Sequence, residues 1–161
     1  MKIVDNYYLF LTNWLSNWHR AEIIDPISKI RYSTTEQAYM YMKAAFFQDW
    51  DSMRALQVTP MEPREAKDLG RKVKNYDDRL WSTVRYGFMV YVNYLKYSQH
   101  PDLRQQLIDT KDLILVECNP RDPIWGIGLG ENDPRAETPS LWKGRNLLGQ
   151  VLMEVRDMVK N

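Results

Sequence analysis

A mainly helical chain with a few short strands is what this sequence predicts, and three observations predict it. Six segments carry helical spacing or helix start and stop signals. Strand signals are confined to short runs: Tyr7 to Leu11, the pair AEIID and KIRYS, and DLILVE. The length of 161 residues, with 44% hydrophobic and 27% charged residues, suits a single soluble globular domain over 1–161 with a real core.

Taken in order, Tyr7 to Leu11 is aromatic and aliphatic without helical spacing, and Asn13, Ser16 and Asn17 follow as turn residues. AEIID and KIRYS flank Pro26-Ile27-Ser28 as strand, turn and strand. A helix is predicted over Ser33 to Phe47, with two overlapping capping boxes at its start, Ser33-x-x-Glu36 and Thr34-x-x-Gln37. A short helix follows over Asp51 to Gln57, closed by Thr59-Pro60. Pro63 then sits as a first-turn proline for a helix ending around Lys72 to Lys74. Asp78 to Tyr97 is the longest helix, with Trp81, Arg85, Phe88, Val92 and Leu95 on one stripe. Pro101 to Asp109 forms another short one. DLILVE reads as a buried strand leading into CNPRDPIWGIGLG, and ENDPRAETPS as a surface loop. A terminal helix carries Leu147, Val151, Met153 or Glu154, and Met158 at helical spacing, with Gly144 or Asn146 near its start.

Composition excludes several functional classes. Lys plus Arg number 22 against 21 for Asp plus Glu, a net charge of +1, so no global positive field supports tight non-specific nucleic-acid binding. No apolar run reaches membrane-spanning length, and the start MKIVDNYYLFL lacks a signal-peptide core, so a cytoplasmic protein is expected. The single cysteine, Cys118, excludes an intramolecular disulfide and suits a reducing compartment. His19 and His100 stand in no zinc-ligand spacing, and no phosphate-binding glycine loop occurs: Gly126, Gly128 and Gly130 do not form G-x-G-x-x-G. No metal or cofactor is therefore expected.

Six Trp and ten Tyr exceed what a small core needs, which leaves rings for a planar ligand. On the helix from Ser33, the residues Glu36, Tyr39 or Met40, and Lys43 share one face, so an acid and an amine look into one place. Glu36, with Glu117 and Asp122 near the glycines, offers carboxylates of the kind that serve cationic transition states in glycosidic cleavage. Each candidate has a plain structural alternative: Glu36 a capping-box residue, Lys43 a solvated lysine, Asp122 a turn residue before Pro123. For Trp81, Trp125 and Trp142 the alternative is core packing, for Asn17 an Asx-turn, for Asn146 a helix cap, and for Gly126 a turn.

In order, LSNW (15–18), RYSTTEQAYMYMKA (31–44), EAKDLGRKV (65–73), a helix with Trp81, LVE (115–117), DPIWGIGL (122–129) and WKGRNLLGQVLMEVR (142–156) resemble the YbiA-like, or NADAR, superfamily. The likeness runs from about Leu15 to Arg156. It implies an α+β, predominantly helical single domain with a small sheet, the YbiA-like fold, and no metal. It further implies an N-glycosidase with Glu36, Asp122 and Lys43 as catalytic residues. Asn17, Trp81, Trp125, Gly126, Trp142 and Asn146 would contact substrate. Two positions depart from the family pattern: Trp18 where Phe is more usual, and Gln37-Ala38-Tyr39-Met40 in the helix.

The implied substrate is a small phosphorylated ribosylamine, an early riboflavin-pathway ribosylaminopyrimidine 5'-phosphate, or ADP-ribosylated guanine. For the second, Arg135, Lys143 and Arg145 would meet the diphosphate. A non-catalytic ADP-ribose or nucleotide binder is the reading from another class. In the enzyme, Asp122 or Glu36 acts as acid or base at C1', and Lys43 either pairs with phosphate or attacks C1'.

Overall fold

Helix signals outnumber strand signals, and the computed structural model, which describes residues 2–160, follows them. The order is β1 (Lys2–Val4), β2 (Tyr7–Phe10), β3 (Arg20–Ile24), β4 (Arg31–Thr34), α1 (Thr35–Phe46), α2 (Trp50–Ala55), α3 (Pro63–Arg71), α4 (Asp78–Gln99), α5 (Pro101–Asp109), β5 (Ile114–Glu117), two 3-10 turns (Pro134–Glu137 and Pro139–Leu141) and α6 (Leu147–Val159). The architecture is α+β and mainly helical, as expected. The chain gathers into two units, one of Asn17–His100, the other of the residues up to Ser16 with those from Pro101 onward.

In the Asn17–His100 unit, α1 is the hub, packing against α2, α3, α4 and the β3–β4 hairpin. Of the two overlapping capping boxes, the structure uses the second. Thr34 Oγ1 accepts from the Gln37 amide at 3.2 Å, and Gln37 Oε1 accepts from the Ser33 amide at 2.7 Å. Gln37 also donates to the carbonyls of Leu56 and Val58, so this buried amide is satisfied on both sides and ties the chain after α2 to the start of α1. Ser33 Oγ accepts instead from the Met61 amide at 3.0 Å. Gly70 of α3 lies so close to α1 that an added Cβ would sit 1.9 Å from Met40 Sδ. Asp49 caps α2 through the Ser52 amide, so that helix starts one residue earlier than predicted.

In the other unit, β2 pairs antiparallel with β1 and parallel with β5. Leu9, Val116, Cys118, Ile127, Leu129 and Ala136 form its core, with α6 packed on β5 and on α5. Arg156 is buried there and donates to Thr110 Oγ1 and the Leu113 carbonyl, both at 2.9 Å, which satisfies the turn between α5 and β5. Two features lie outside the predicted elements. β1 is too short to show alternation, and the 3-10 turns form in the predicted loop because Pro134 and Pro139 preset their first dihedral and Asp133 caps the first turn.

Candidate functional site

With Thr34 and Gln37 closing the helix start, Glu36 is not the capping carboxylate. It sits in the first turn of α1 at 6% exposure, its amide donating to the Asn17 carbonyl at 3.1 Å. A carboxylate there is favoured by the positive end of the helix dipole. Its charge is felt by two neighbours on the same helix, Tyr39 and Lys43. Burial first, and Glu36 second, push the Tyr39 phenol far above its usual value, against an opposing pull from Arg85.

Lys43 is partly buried two turns further on. Its Nζ donates to the Gly70 carbonyl at 2.8 Å and stands 4.4 Å from the centre of the Tyr76 ring. Burial pushes the ammonium below the usual lysine value; Glu36 pulls it back up, Arg71 pushes it further down, and Asp78 pulls up. One of its three N–H groups is used among the described residues. An amine held this way is nearer to its neutral, nucleophilic form than a solvated lysine.

The face of α4 turned to α1 continues the arrangement. Trp81, only 5% exposed, lies 5.5 Å from Tyr39 centre to centre and stacks on Phe88 at 5.7 Å, with Phe46 and Phe47 around it. It backs the site as a core ring, with little face left for a ligand. One turn on is Arg85, and another turn on is Met89, whose sulfur accepts from Asn17 Nδ2 at 3.1 Å. Asn17 Oδ1 accepts from Asn93 Nδ2 at 3.2 Å. Asn17 is therefore no Asx-turn residue: its side chain fastens the chain before β3 to α4, while its carbonyl takes the Glu36 amide.

The candidates of the other unit are tied to backbone. Asp122 Oδ1 accepts from the amides of Ile124 and Trp125 at 3.0 and 2.8 Å, the turn geometry its place before Pro123 suggests. Asn146, at φ 52°, starts α6 without capping it. Its Oδ1 accepts from the Glu117 amide at 3.0 Å and its Nδ2 donates to the Leu115 carbonyl at 2.9 Å. The Gly126 carbonyl takes the Asn146 amide at 3.0 Å, and a Cβ on Gly126 would come within 3.0 Å of the Glu117 and Asp122 carbonyls. Trp142 donates from Nε1 to the Ala136 carbonyl at 2.9 Å and packs edge-on to Tyr7 at 6.3 Å. Trp125 is half-buried, its carbonyl taking the Leu148 amide at 3.1 Å. Of the basic loop residues, Arg135 is paired with Asp133, while Lys143 and Arg145 are exposed.

No group of three or more His, Cys, Asp or Glu among the described residues is placed to hold a metal ion. No helix among them is long and apolar enough to cross a membrane. A pocket of about 250 Å³ lined by Arg20, Glu22, Ser33, Thr59 and Pro60 holds none of the candidate residues. Three residues of the α1 site were missed from sequence: Gly70, Tyr76 and Arg85. The first lies within EAKDLGRKV, and an arginine on an otherwise apolar stripe was the signal for the last.

A family model described as the NADAR domain matches residues 5–160. The chain is 36% identical over 126 residues to "N-glycosidase R617" of Acanthamoeba polyphaga mimivirus, covering 78% of this chain and 74% of that protein. It is 32% identical over 103 residues to "Riboflavin biosynthesis protein PYRR, chloroplastic" of Arabidopsis thaliana, covering 61% of this chain and 15% of that much longer protein. The NMR structure of the Escherichia coli protein YbiA matches 98% of this chain and 88% of its own with a TM-score of 0.76; at 24% identity the likeness is one of fold.

Proposed function

Because this chain belongs to the NADAR domain family, we propose that it is an N-glycosidase that splits the bond between C1' of ribose 5-phosphate and the exocyclic amine of an aminopyrimidine. The viral relative's name supports the reaction class, and the plant relative's name supports a substrate from riboflavin biosynthesis. The observation that carries the reading is Glu36: a buried carboxylate displaced from the capping role by Thr34 and Gln37, within electrostatic reach of a partly desolvated lysine.

Glu36 steadies the positive charge that develops at C1' and relays the proton to the departing amine. Lys43, as its neutral amine, adds to C1' of the ring-opened ribosylimine. The bond from C1' to the exocyclic nitrogen then breaks as that nitrogen takes the proton. Water hydrolyses the resulting lysine imine, which releases the sugar phosphate and returns the amine. Asp122 serves the turn that presents Trp125. The whole of 1–161 acts as one domain, a reading supported by a family model that spans both units. A cytoplasmic location is in keeping with the single, buried cysteine.

Incubating the protein with a ribosylaminopyrimidine 5'-phosphate and, separately, with ADP-ribosylated guanine tests the reading through the base and sugar set free. Release from the first is expected. Turnover of the guanine adduct alone moves the substrate assignment, and binding without release from either contradicts the activity. Borohydride added during turnover is expected to leave a stable sugar adduct on Lys43; full turnover with no adduct leaves Lys43 a charge partner only.

A further inference from the structure

Arg85 is 92% buried, since 8% of its surface is exposed, yet among the described residues its guanidinium makes no hydrogen bond and no ion pair. This is unusual. A guanidinium has five N–H donors to satisfy, and no Arg85 nitrogen is among the fully enclosed atoms without a partner, so the small exposure that the residue keeps reaches its donors. Arg156, also buried, uses Nη1 within the protein, with hydrogen bonds to Thr110 and Leu113, while its Nε is enclosed without a partner.

The position of Arg85 points to what completes it. On α4 it lies one turn from Trp81, whose ring meets Tyr39, and one turn from Met89, which holds Asn17 beside the Glu36 amide. Its charge is felt by the phenols of Tyr39 and Tyr76. Tyr76 is 44% exposed and covers Lys43, so this end of the face opens to solvent. The nearby acids have other neighbours. Asp78 accepts from the Tyr76 hydroxyl at 2.7 Å, and Glu36 is felt by Lys43 and Tyr39. Lys43 and Arg71 add positive charge to the same surroundings.

Building on the glycosidase reading, we propose that Arg85 is a substrate-binding residue that holds a phosphoryl group on the sugar, its planar fork pairing with two phosphate oxygens. Arginine is suited to this contact because its donors match phosphate bidentately and its charge persists at any working pH. The assignment also separates the roles of the two cations: Arg85 anchors the anion, and Lys43 is left for C1'. The same chemistry occurs in a phosphate monoester and in a diphosphate.

Calorimetric titration of wild type, Arg85→Met and Arg85→Lys with ribose 5-phosphate, ADP-ribose and unphosphorylated ribose tests the proposal without any turnover. Wild type is expected to prefer one of the phosphorylated ligands to ribose, and which of the two identifies the source of the phosphate. That preference falls at least tenfold in Arg85→Met and only partly in Arg85→Lys, with ribose unchanged. The melting midpoint of Arg85→Met stays close to that of wild type, because the substitution removes no hydrogen bond or ion pair and keeps the apolar stem packed. Undiminished binding of the phosphorylated ligand by Arg85→Met overturns the proposal, as does a wild type with no preference over ribose. A variant that loses ribose along with the phosphorylated ligands and melts well below wild type overturns it too, by making Arg85 a structural residue.

Discussion

Asn146 and Arg85 are both buried polar side chains, one in each unit, and they differ in what surrounds them. Asn146 is saturated by the backbone of β5, donating to Leu115 and accepting from Glu117. Trp142 and Asp122, from the same sequence motifs, are likewise tied to carbonyls and amides. In the unit built on α1, Arg85 has no such partner among the described residues, and Lys43 has one hydrogen bond and a ring face. Saturated polar groups hold a fold together; charged groups with unused hydrogen-bonding capacity are the ones available to a ligand. In the proposed reading, conserving shape and doing chemistry thus fall to different residues.

The comparison breaks most readily at Lys43. Lys43→Met is expected to lower base release by about 10²-fold or more, with the borohydride adduct absent and the fold intact by circular dichroism. In wild type the yield of trapped adduct rises with pH, because the neutral amine attacks. Its midpoint falls below the ordinary lysine value of about 10.4, since burial lowers the ammonium's pKa. A midpoint at or above that value places Lys43 in water and removes the distinction.

Stability effects come next and belong mainly to the other unit. A Cβ on Gly149 would lie 2.0 Å from the Leu115 carbonyl, which is backbone and cannot swing aside. Gly149→Ala is expected to cost about 3 kcal/mol or more, a fall in melting midpoint of roughly 6–12 °C. Asn146→Ala removes both hydrogen bonds to β5 and places alanine at φ 52°. A loss of about 2–4 kcal/mol in urea denaturation is expected, with KM unchanged in the protein that remains folded. A raised KM with full stability would return Asn146 to the substrate.

Much of this was legible in the sequence, for physical reasons that also explain the gaps. The hairpin, the five helices from α1 to α5 and the buried strand β5 follow from spacing, proline position and capping signals, all local. The ordered motifs implied the family, which the match over residues 5–160 shows. The overlapping boxes at Ser33 and Thr34 could not be separated locally, because the choice depends on Met61 and Leu56, which arrive from beyond α2. Arg85 stood out on the predicted stripe as the one charged residue among Trp81, Phe88, Val92 and Leu95, but the stripe alone gives it no role. Only tertiary packing shows that its guanidinium is left without a hydrogen bond or ion pair among the described residues. Asp122 shares one motif with Trp125 and Gly126, and Trp142 another with Asn146, and motif membership alone does not say whether a side chain meets a ligand or a carbonyl.

The smallest effect expected is at the cap that frees Glu36. Thr34→Ala removes one hydrogen bond to the Gln37 amide and should cost about 1 kcal/mol, visible as a shift in the urea midpoint. Activity per folded molecule should fall modestly, since Gln37 still holds the Ser33 amide.

The central claim is that the α1 carboxylate, and not the turn carboxylate, serves the bond to C1'. Base release from a ribosylaminopyrimidine 5'-phosphate, measured side by side for Glu36→Gln and Asp122→Asn with the melting midpoint of each, tests it most directly. The account predicts that Glu36→Gln loses about 10²-fold or more of the rate at a nearly unchanged midpoint, whereas Asp122→Asn keeps most of its activity and melts earlier. An active Glu36→Gln beside an inactive, fully stable Asp122→Asn would contradict it.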